Sequence, residues 1–363
     1  MGSRSRFRFS VSVSLNYNQF GLVRILDALV PISSLKALVG HYLMGRKSKR
    51  HGRDTRQTLT SAASLRSVIT DCPVEIWGRI FSLACVDDGF TGRSLSRVSR
   101  YIMEASKPYK YQCLAVKDHQ LRPLSLIFRK LPADLRRVRC LFITQAAWES
   151  NRWEISEFFL TDKNRLLKMV APTLEKLEIG CFYYRLPLPF QLPVLVDLTL
   201  HGQHDGMKPL TKVLVCYPAL RRLQLEWFPS SNHDVYFFPL LNVTAPSISI
   251  IRLSTSFSSE ITAAFSALKT KLQIQKILFQ PHASWEYNMV YQAWRAEYLR
   301  NLRTNSQKDD GLVLLKVRTA QTPHHRASAA KARWLEACAG RTDYWEPTEE
   351  ELDSEVLAAS SAG

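Results

Sequence analysis

Pro172-Thr-Leu-Glu-Lys-Leu-Glu-Ile179, Pro193-Val-Leu-Val-Asp-Leu-Thr-Leu200, Pro218-Ala-Leu-Arg-Arg-Leu-Gln-Leu225 and Pro246-Ser-Ile-Ser-Ile-Ile-Arg-Leu253 share one pattern: a proline, then apolar residues two, five and seven positions later. Four copies in one register mark an internal repeat. A weaker copy follows at Ile274, Ile277 and Phe279, with flanking copies at Val138, Leu141, Ile143 and at Leu312, Leu315, Val317. Counted on the second apolar position (177, 198, 223, 251, 277), the intervals are 21, 25, 28 and 26 residues. The final apolar-x-apolar alternation makes each copy a short strand with alternate side chains on one face. One copy cannot bury that face alone, so neighbouring copies must stack, which predicts a curved parallel sheet.

The period and the LxxLxL core resemble leucine-rich repeats, whose copies run about 20–29 residues. The Asn or Cys usual three residues after the last Leu is replaced here by Phe182, Gln203, Phe228 and Ser256. An irregular leucine-rich-repeat solenoid is therefore expected over 119–320, giving an α/β chain. The residues between the inward leucines should face the concave side: Lys176, Glu178, Asp197, Thr199, His201, Arg222, Gln224, Glu226, Arg252, Ser254 and Lys276. That row is polar and mixed in charge, so it reads either as a target-binding surface for a protein or as an ordinary solvated sheet face. Residues 284–303 carry Trp285, Tyr287, Tyr291, Trp294 and Tyr298 and predict an amphipathic helix serving as core or end-cap.

Upstream, Asp71-Cys-Pro-Val-Glu-Ile-Trp-Gly-Arg-Ile-Phe-Ser-Leu-Ala-Cys85 opens like a helix. Pro73 suits a first turn, where a missing N–H costs nothing, and Glu75 suits the positive helix end. At about 100° per residue, Val74, Ile76, Trp77, Ile80, Phe81, Leu83, Ala84 and Cys85 cover roughly 200° of its circumference. That arc is wider than one packing neighbour requires, so one stripe should pack internally and another should face a partner, with Phe81 on the partner side. Asp87–Gly92 is turn chemistry, and a second helix is expected from about Arg93 to Ser106 with Leu95, Val98, Ile102 and Ala105 inward.

Cys72-Pro-Val-Glu-Ile76, Ile80-Phe-Ser-Leu83 and Leu95-Ser-Arg-Val-Ser-Arg-Tyr-Ile102 resemble the F-box family, most closely fungal F-box-like segments. The resemblance covers about 40–50 residues and implies an F-box-like helical module over 67–118. It further implies docking onto the Skp adaptor of SCF-type ubiquitin ligases, and through it onto cullin, by Pro73, Glu75, Ile76, Trp77, Ile80, Phe81, Leu95 and Val98. Cys72 stands where the family usually has Leu, and the family's late tryptophan is absent. A plain helical hairpin packed on the repeats is the alternative.

The formal charge of +17 is unevenly spread. Residues 1–66 hold twelve Lys/Arg against Asp27 and Asp54, whereas 346–363 hold six acids and no base. The remaining excess suits a solvated surface, so nucleic acid is not the expected partner of the body. The basic 1–66 extension reads as partly disordered or as an amphipathic helix around 20–44, interrupted by Arg24, Asp27, Pro31, Lys36 and His41 and hence no membrane span. Gly45–Arg53 fits a nuclear signal or a basic linker. Being Arg- and Ser-rich and acid-poor, 1–66 also fits a mitochondrial transit peptide, so the expected compartment is cytoplasm or nucleus with organelle targeting open. Residues 321–363 read as a helical segment and an acidic disordered tail.

The seven cysteines are scattered and never spaced CxxC, which indicates neither a disulfide framework nor a zinc cage; they read as small hydrophobes in a reducing compartment. There is no Gly-rich phosphate loop, HExxH or GxSxG. His201, His204 and Asp205, like His324 and His325, read as polar loop residues. No catalytic, metal or cofactor residue is expected. The leading expectation is a non-enzymatic substrate-recognition adaptor of an SCF-type ligase, with a repeat scaffold unconnected to any ligase as the alternative.

Overall fold

The computed structural model describes residues 72–145, 157–184, 188, 190–204, 216–228, 241–255, 274–281, 289–309, 311–317, 323–340 and 345–354. The expectations for residues 1–66, for Asp205 and for the side chains of His204, Trp285, Tyr287, Tyr291, Trp294 and His324 lie outside the described residues. Val74–Gly363 is one compact unit, so the helical module and the sheet belong to a single body.

Eight strands form one parallel sheet in sequence order: β1 (Cys113–Lys117), β2 (Cys140–Thr144), β3 (Lys176–Tyr184), β4 (Asp197–His204), β5 (Arg222–Phe228), β6 (Ile250–Thr255), β7 (Lys276–Pro281) and β8 (Leu312–Leu314). The sheet is open and curved. Its register is the repeat register. Leu114, Leu141, Leu177, Leu198, Leu223, Ile251, Ile277 and Leu312 are successive cross-strand partners. Two residues on, Val116, Ile143, Ile179, Leu200, Leu225, Leu253, Phe279 and Leu314 form a second such row. Both rows are buried in one core. A one-residue slip of any strand would turn its apolar pair to the opposite face, so these two rows fix the pairing. The last copy departs from its expected alignment: Leu312 and Leu314, not Leu315 and Val317, continue the rows, and Leu315 instead bridges antiparallel to Leu352.

The apolar rows pack against α4 (Asp118–Lys130), α5 (Glu157–Val170) and α6 (Met289–Lys308) through Leu121, Phe128, Leu166, Leu167, Val170, Tyr298 and Leu302. Tyr298 thus belongs to the core. The other face of the sheet carries the polar row and is covered as well. Across it run α7 (Pro323–Cys338) and the segment 345–354. Trp334 packs on Phe142 of β2 with ring centroids 5.6 Å apart, and Ala327 and Ala330 close over Cys113 and Cys140. Parallel sheets are generally covered on both faces, and this one is.

Before the sheet come α1 (Val74–Ala84), α2 (Phe90–Leu95) and α3 (Arg100–Ser106). The single helix expected over 93–106 is broken into two because Ser99 adopts extended backbone and caps α3, its hydroxyl accepting from Ile102 N at 3.2 Å. In the preceding turn the Asp87 carboxylate accepts from Gly89 N at 3.0 Å and Thr91 N at 2.9 Å, and Gly89 has φ 86°, a left-handed value that favours glycine. The module rests on the β1 edge, where Gln112 Nε2 donates to Ser82 O at 2.8 Å. A Cβ on Gly92 would lie 2.4 Å from Lys110 O, so glycine is required there.

Leu223, fully buried at the centre of the first apolar row, should cost about 2–5 kcal/mol when replaced by alanine. A urea melt checks this: the midpoint falls while the slope is unchanged. Gly92→Ala should cost about 1–3 kcal/mol through the backbone clash.

Candidate functional site

The surface of α1 divides as helix geometry requires, but not where the sequence pattern places the division. Phe81 is 2% exposed and stacks on Trp77 with centroids 5.4 Å apart, so the residue expected to face a partner is enclosed by its own chain. α1 packs against α3. The exposed apolar side chains of α1 are Ile76 and Leu83 on one face, 50% and 54% exposed, and Val74 on the other; Phe90 and Val98 are exposed as well. Pro73 and Glu75 are exposed, whereas Trp77, Ile80 and Leu95 are half-buried. Val98, expected inward, faces out because it lies in the break between α2 and α3.

The polar row is brought together in register, as alternation requires, but it is not a free surface. Glu178, Asp197, Thr199, His201, Gln224, Glu226, Arg252 and Ser254 are buried, with Lys176 and Arg222 half-buried. The acidic segment expected to be a disordered tail supplies part of the cover. Glu351 accepts from Arg252 Nη2 at 2.9 Å, Asp353 from Arg303 at 3.1 Å, and Glu346 pairs with Lys276 at 3.3 Å. The Trp345 ring lies 5.7 Å from the Arg222 guanidinium. Asp353 N donates to Leu314 O and Lys316 N to Glu351 O, extending backbone pairing at the β8 edge. Basic residues of the sheet and α6 neutralise the tail's acids, and this pairing orders a stretch that composition alone reads as unfoldable.

Under α7 the row resolves into charge pairs. Arg222 binds Asp197 with both guanidinium arms, the Nη2–Oδ2 contact being 2.8 Å. Lys176 Nζ lies 3.8 Å from Asp197 and donates to Ala337 O, near the end of α7, at 3.0 Å. Burial pushes the Asp197 carboxyl up, opposed by the Arg222 hydrogen bond. At the centre, His201 lies between two carboxylates, Nε2 at 2.6 Å from Glu178 and Nδ1 at 2.7 Å from Glu226, with Arg333 of α7 3.6 Å from Glu226. Burial opposes the imidazolium, but Glu226 and Glu178 override it and hold the His201 pKa at about 9. Two carboxylates, one imidazolium and one guanidinium leave this enclosed cluster neutral. With His201 and Glu226 wholly buried, the arrangement is that of a structural ion network under a helix.

A third grouping joins residues far apart in sequence. Cys113 and Cys140 are direct partners on β1 and β2, and Cys338 ends α7. Their three sulfurs all lie within 4.8 Å of one another. Thiol hydrogen bonds from Cys113 and Cys338, aided by the charges of Lys176 and Arg139, hold the Cys140 pKa well below the ordinary thiol value. The same bonding and burial push Cys113 up. No CxxC spacing announces this cluster; the only clue in the sequence is that Cys113 and Cys140 precede the inward leucines of consecutive copies by one residue.

Among the described residues no helix is long and apolar enough to cross a membrane. Comparison with protein-family models, with curated proteins and with solved structures finds no match to this chain.

Because the His201 pKa rises from 6.5 to about 9 on folding, its contribution to stability is complete below pH 6.5 and is lost as pH rises through 9. Thermal melts of the wild type should show a falling Tm over this interval, and His201→Gln should remove that part of the slope.

Proposed function

We propose that the chain is a non-enzymatic adaptor whose helical module docks onto another polypeptide through the outward face of α1. The carrying observation is that Ile76 and Leu83, about 20° apart on one face of α1, are both exposed in a module of modest size. Such a patch costs solubility unless it is covered in use. The F-box resemblance of residues 72–102 makes a Skp-type adaptor of an SCF-type ligase the partner, with Pro73, Glu75 and the half-buried Trp77, Ile80 and Leu95 framing the contact. Phe81 supports this surface from within.

The repeat body then plays the substrate-receptor part, but the target is not held on the polar row. Lys176, Arg222, Glu226 and Arg252 already meet the chain's own C-terminal segment, and Glu178, Asp197, Thr199, His201, Gln224 and Ser254 beside them are buried. In this reading the target meets the opposite side, where Leu126 and Ile127 of α4 and Phe158 and Leu160 of α5 are exposed on a packed helix pair.

One observation favours a second reading, a repeat scaffold with no ligase connection. Phe81 is enclosed and α1 is tied to the sheet edge through Gln112, as expected of helices that cap the open end of a repeat stack.

A pull-down of purified Skp-type adaptor separates the two. The adaptor reading expects capture by the wild type and an affinity at least about tenfold weaker for the Ile76→Asp, Leu83→Asp double variant, with unchanged far-UV circular dichroism. Failure of the wild type to bind, or undiminished binding by the double variant, favours the scaffold. Phe81→Asp should unfold the module under either reading, since it buries a charge.

A further inference from the structure

Cys113, Cys140 and Cys338 are not arranged as isolated core thiols are. A cysteine used as a small hydrophobe needs only apolar neighbours, yet these three sulfurs converge from three separate elements and are mutually within 4.8 Å. A metal–sulfur bond of about 2.3 Å places the sulfurs of a trigonal site about 4.0 Å apart. Small side-chain adjustments therefore suffice to close them on one ion.

Two surroundings favour an ion there. On one side Phe142, Ala330 and Trp334 exclude water, and a dry shell strengthens metal–thiolate bonding. On the other side stand two cations: Arg139, whose guanidinium is paired with Glu175 at 2.8 Å, and Lys176, whose ammonium is anchored on the carbonyl of Ala337, the neighbour of Cys338. Three thiolates around a monovalent or divalent cation carry excess negative charge, and a cation fixed beside them offsets it. Soft sulfur donors select soft or borderline ions. No fourth His, Cys, Asp or Glu joins the group among the described residues. Trigonal coordination suits Cu(I) without addition, whereas Zn(II) would need a water as fourth donor, which the apolar side of the site disfavours.

We propose that Cys113, Cys140 and Cys338 form a trithiolate site for a closed-shell thiophilic cation, Cu(I) or Zn(II), which fastens the end of α7 to the first two strands. On binding, the thiol protons pass to solvent and no electron is transferred. The ion would act as a clamp: it ties the cover of the polar face, at Cys338, to the strands that open the sheet, at Cys113 and Cys140.

The test uses the full chain, purified reduced under argon and titrated separately with Cu(I) and with Zn(II) against a competing chelator. One equivalent of one ion should bind, and Cys113→Ser, Cys140→Ser and Cys338→Ser should each weaken it at least tenfold, while Cys216→Ser should not. The metal content of the protein as isolated, read by elemental analysis, names the occupant, since raw affinity alone favours the softer ion. Because a variant could misfold, the wild type is also alkylated with and without the ion. Protection of these three thiols by the metal, read by mass spectrometry, supports the site. Retention of neither ion, equal binding by the triple variant, or a Cys113–Cys140 disulfide in the protein as isolated would overturn it.

Discussion

Every described strand of the sheet is parallel to its neighbours, and a parallel sheet exposes two faces that both have to be covered. The first cover is conventional: two rows of leucine, isoleucine and valine close under α4, α5 and α6. The second is what gives the molecule its character. α7 and residues 345–354 lie over a face whose side chains are charged, and the cover works only because each buried charge meets an opposite one. Glu178, His201, Glu226 and Arg333 form one neutral group. Asp197 with Arg222 and Lys176 forms a second group with one positive charge in excess, and Arg252 with Glu351 a neutral third.

Such networks contribute specificity more readily than stability, because desolvation consumes much of the Coulomb gain. Their role here is positional. Two contacts tie α7 to this face, Arg333 to Glu226 and the Ala337 carbonyl to Lys176, and they flank Trp334 and Cys338. A face closed in this way is a layer of the fold. Exposed apolar side chains remain instead on the module helices and on α4 and α5.

The register of the central copies is legible in the sequence. The positions 177, 198, 223, 251 and 277 that set the period are direct cross-strand partners, because alternation on a buried strand leaves only one arrangement that buries every leucine. The last copy is misaligned by the sequence pattern, since Leu315 is as apolar as Leu312 and only the tertiary bridge to Leu352 distinguishes them. The fate of the polar row is hidden for a different reason. Alternation tells which residues share a face and not what lies over that face, and the covering helix is remote in the chain, at Pro323–Cys338. The acidic tail misleads similarly: its six acids forbid autonomous folding, but the complementary bases Arg252, Lys276 and Arg303 are distant in sequence. The orientation of Phe81 and the meeting of the three cysteines are likewise long-range facts. A helical arc of about 200° shows that two stripes exist without showing which one turns inward.

The most direct measurement of whether α7 is a constitutive layer is native-state hydrogen exchange of the intact chain, resolved to peptides of α7 and of β3 to β6. A constitutive layer requires the amides of α7 to exchange only with the global unfolding that releases the central strands, so the two sets share one opening free energy. If α7 exchanged through a much cheaper opening while β3 to β6 stayed protected, the helix would be a removable lid. The polar row would then be open to a target, and a second face closed by α7 as part of the fold would be contradicted.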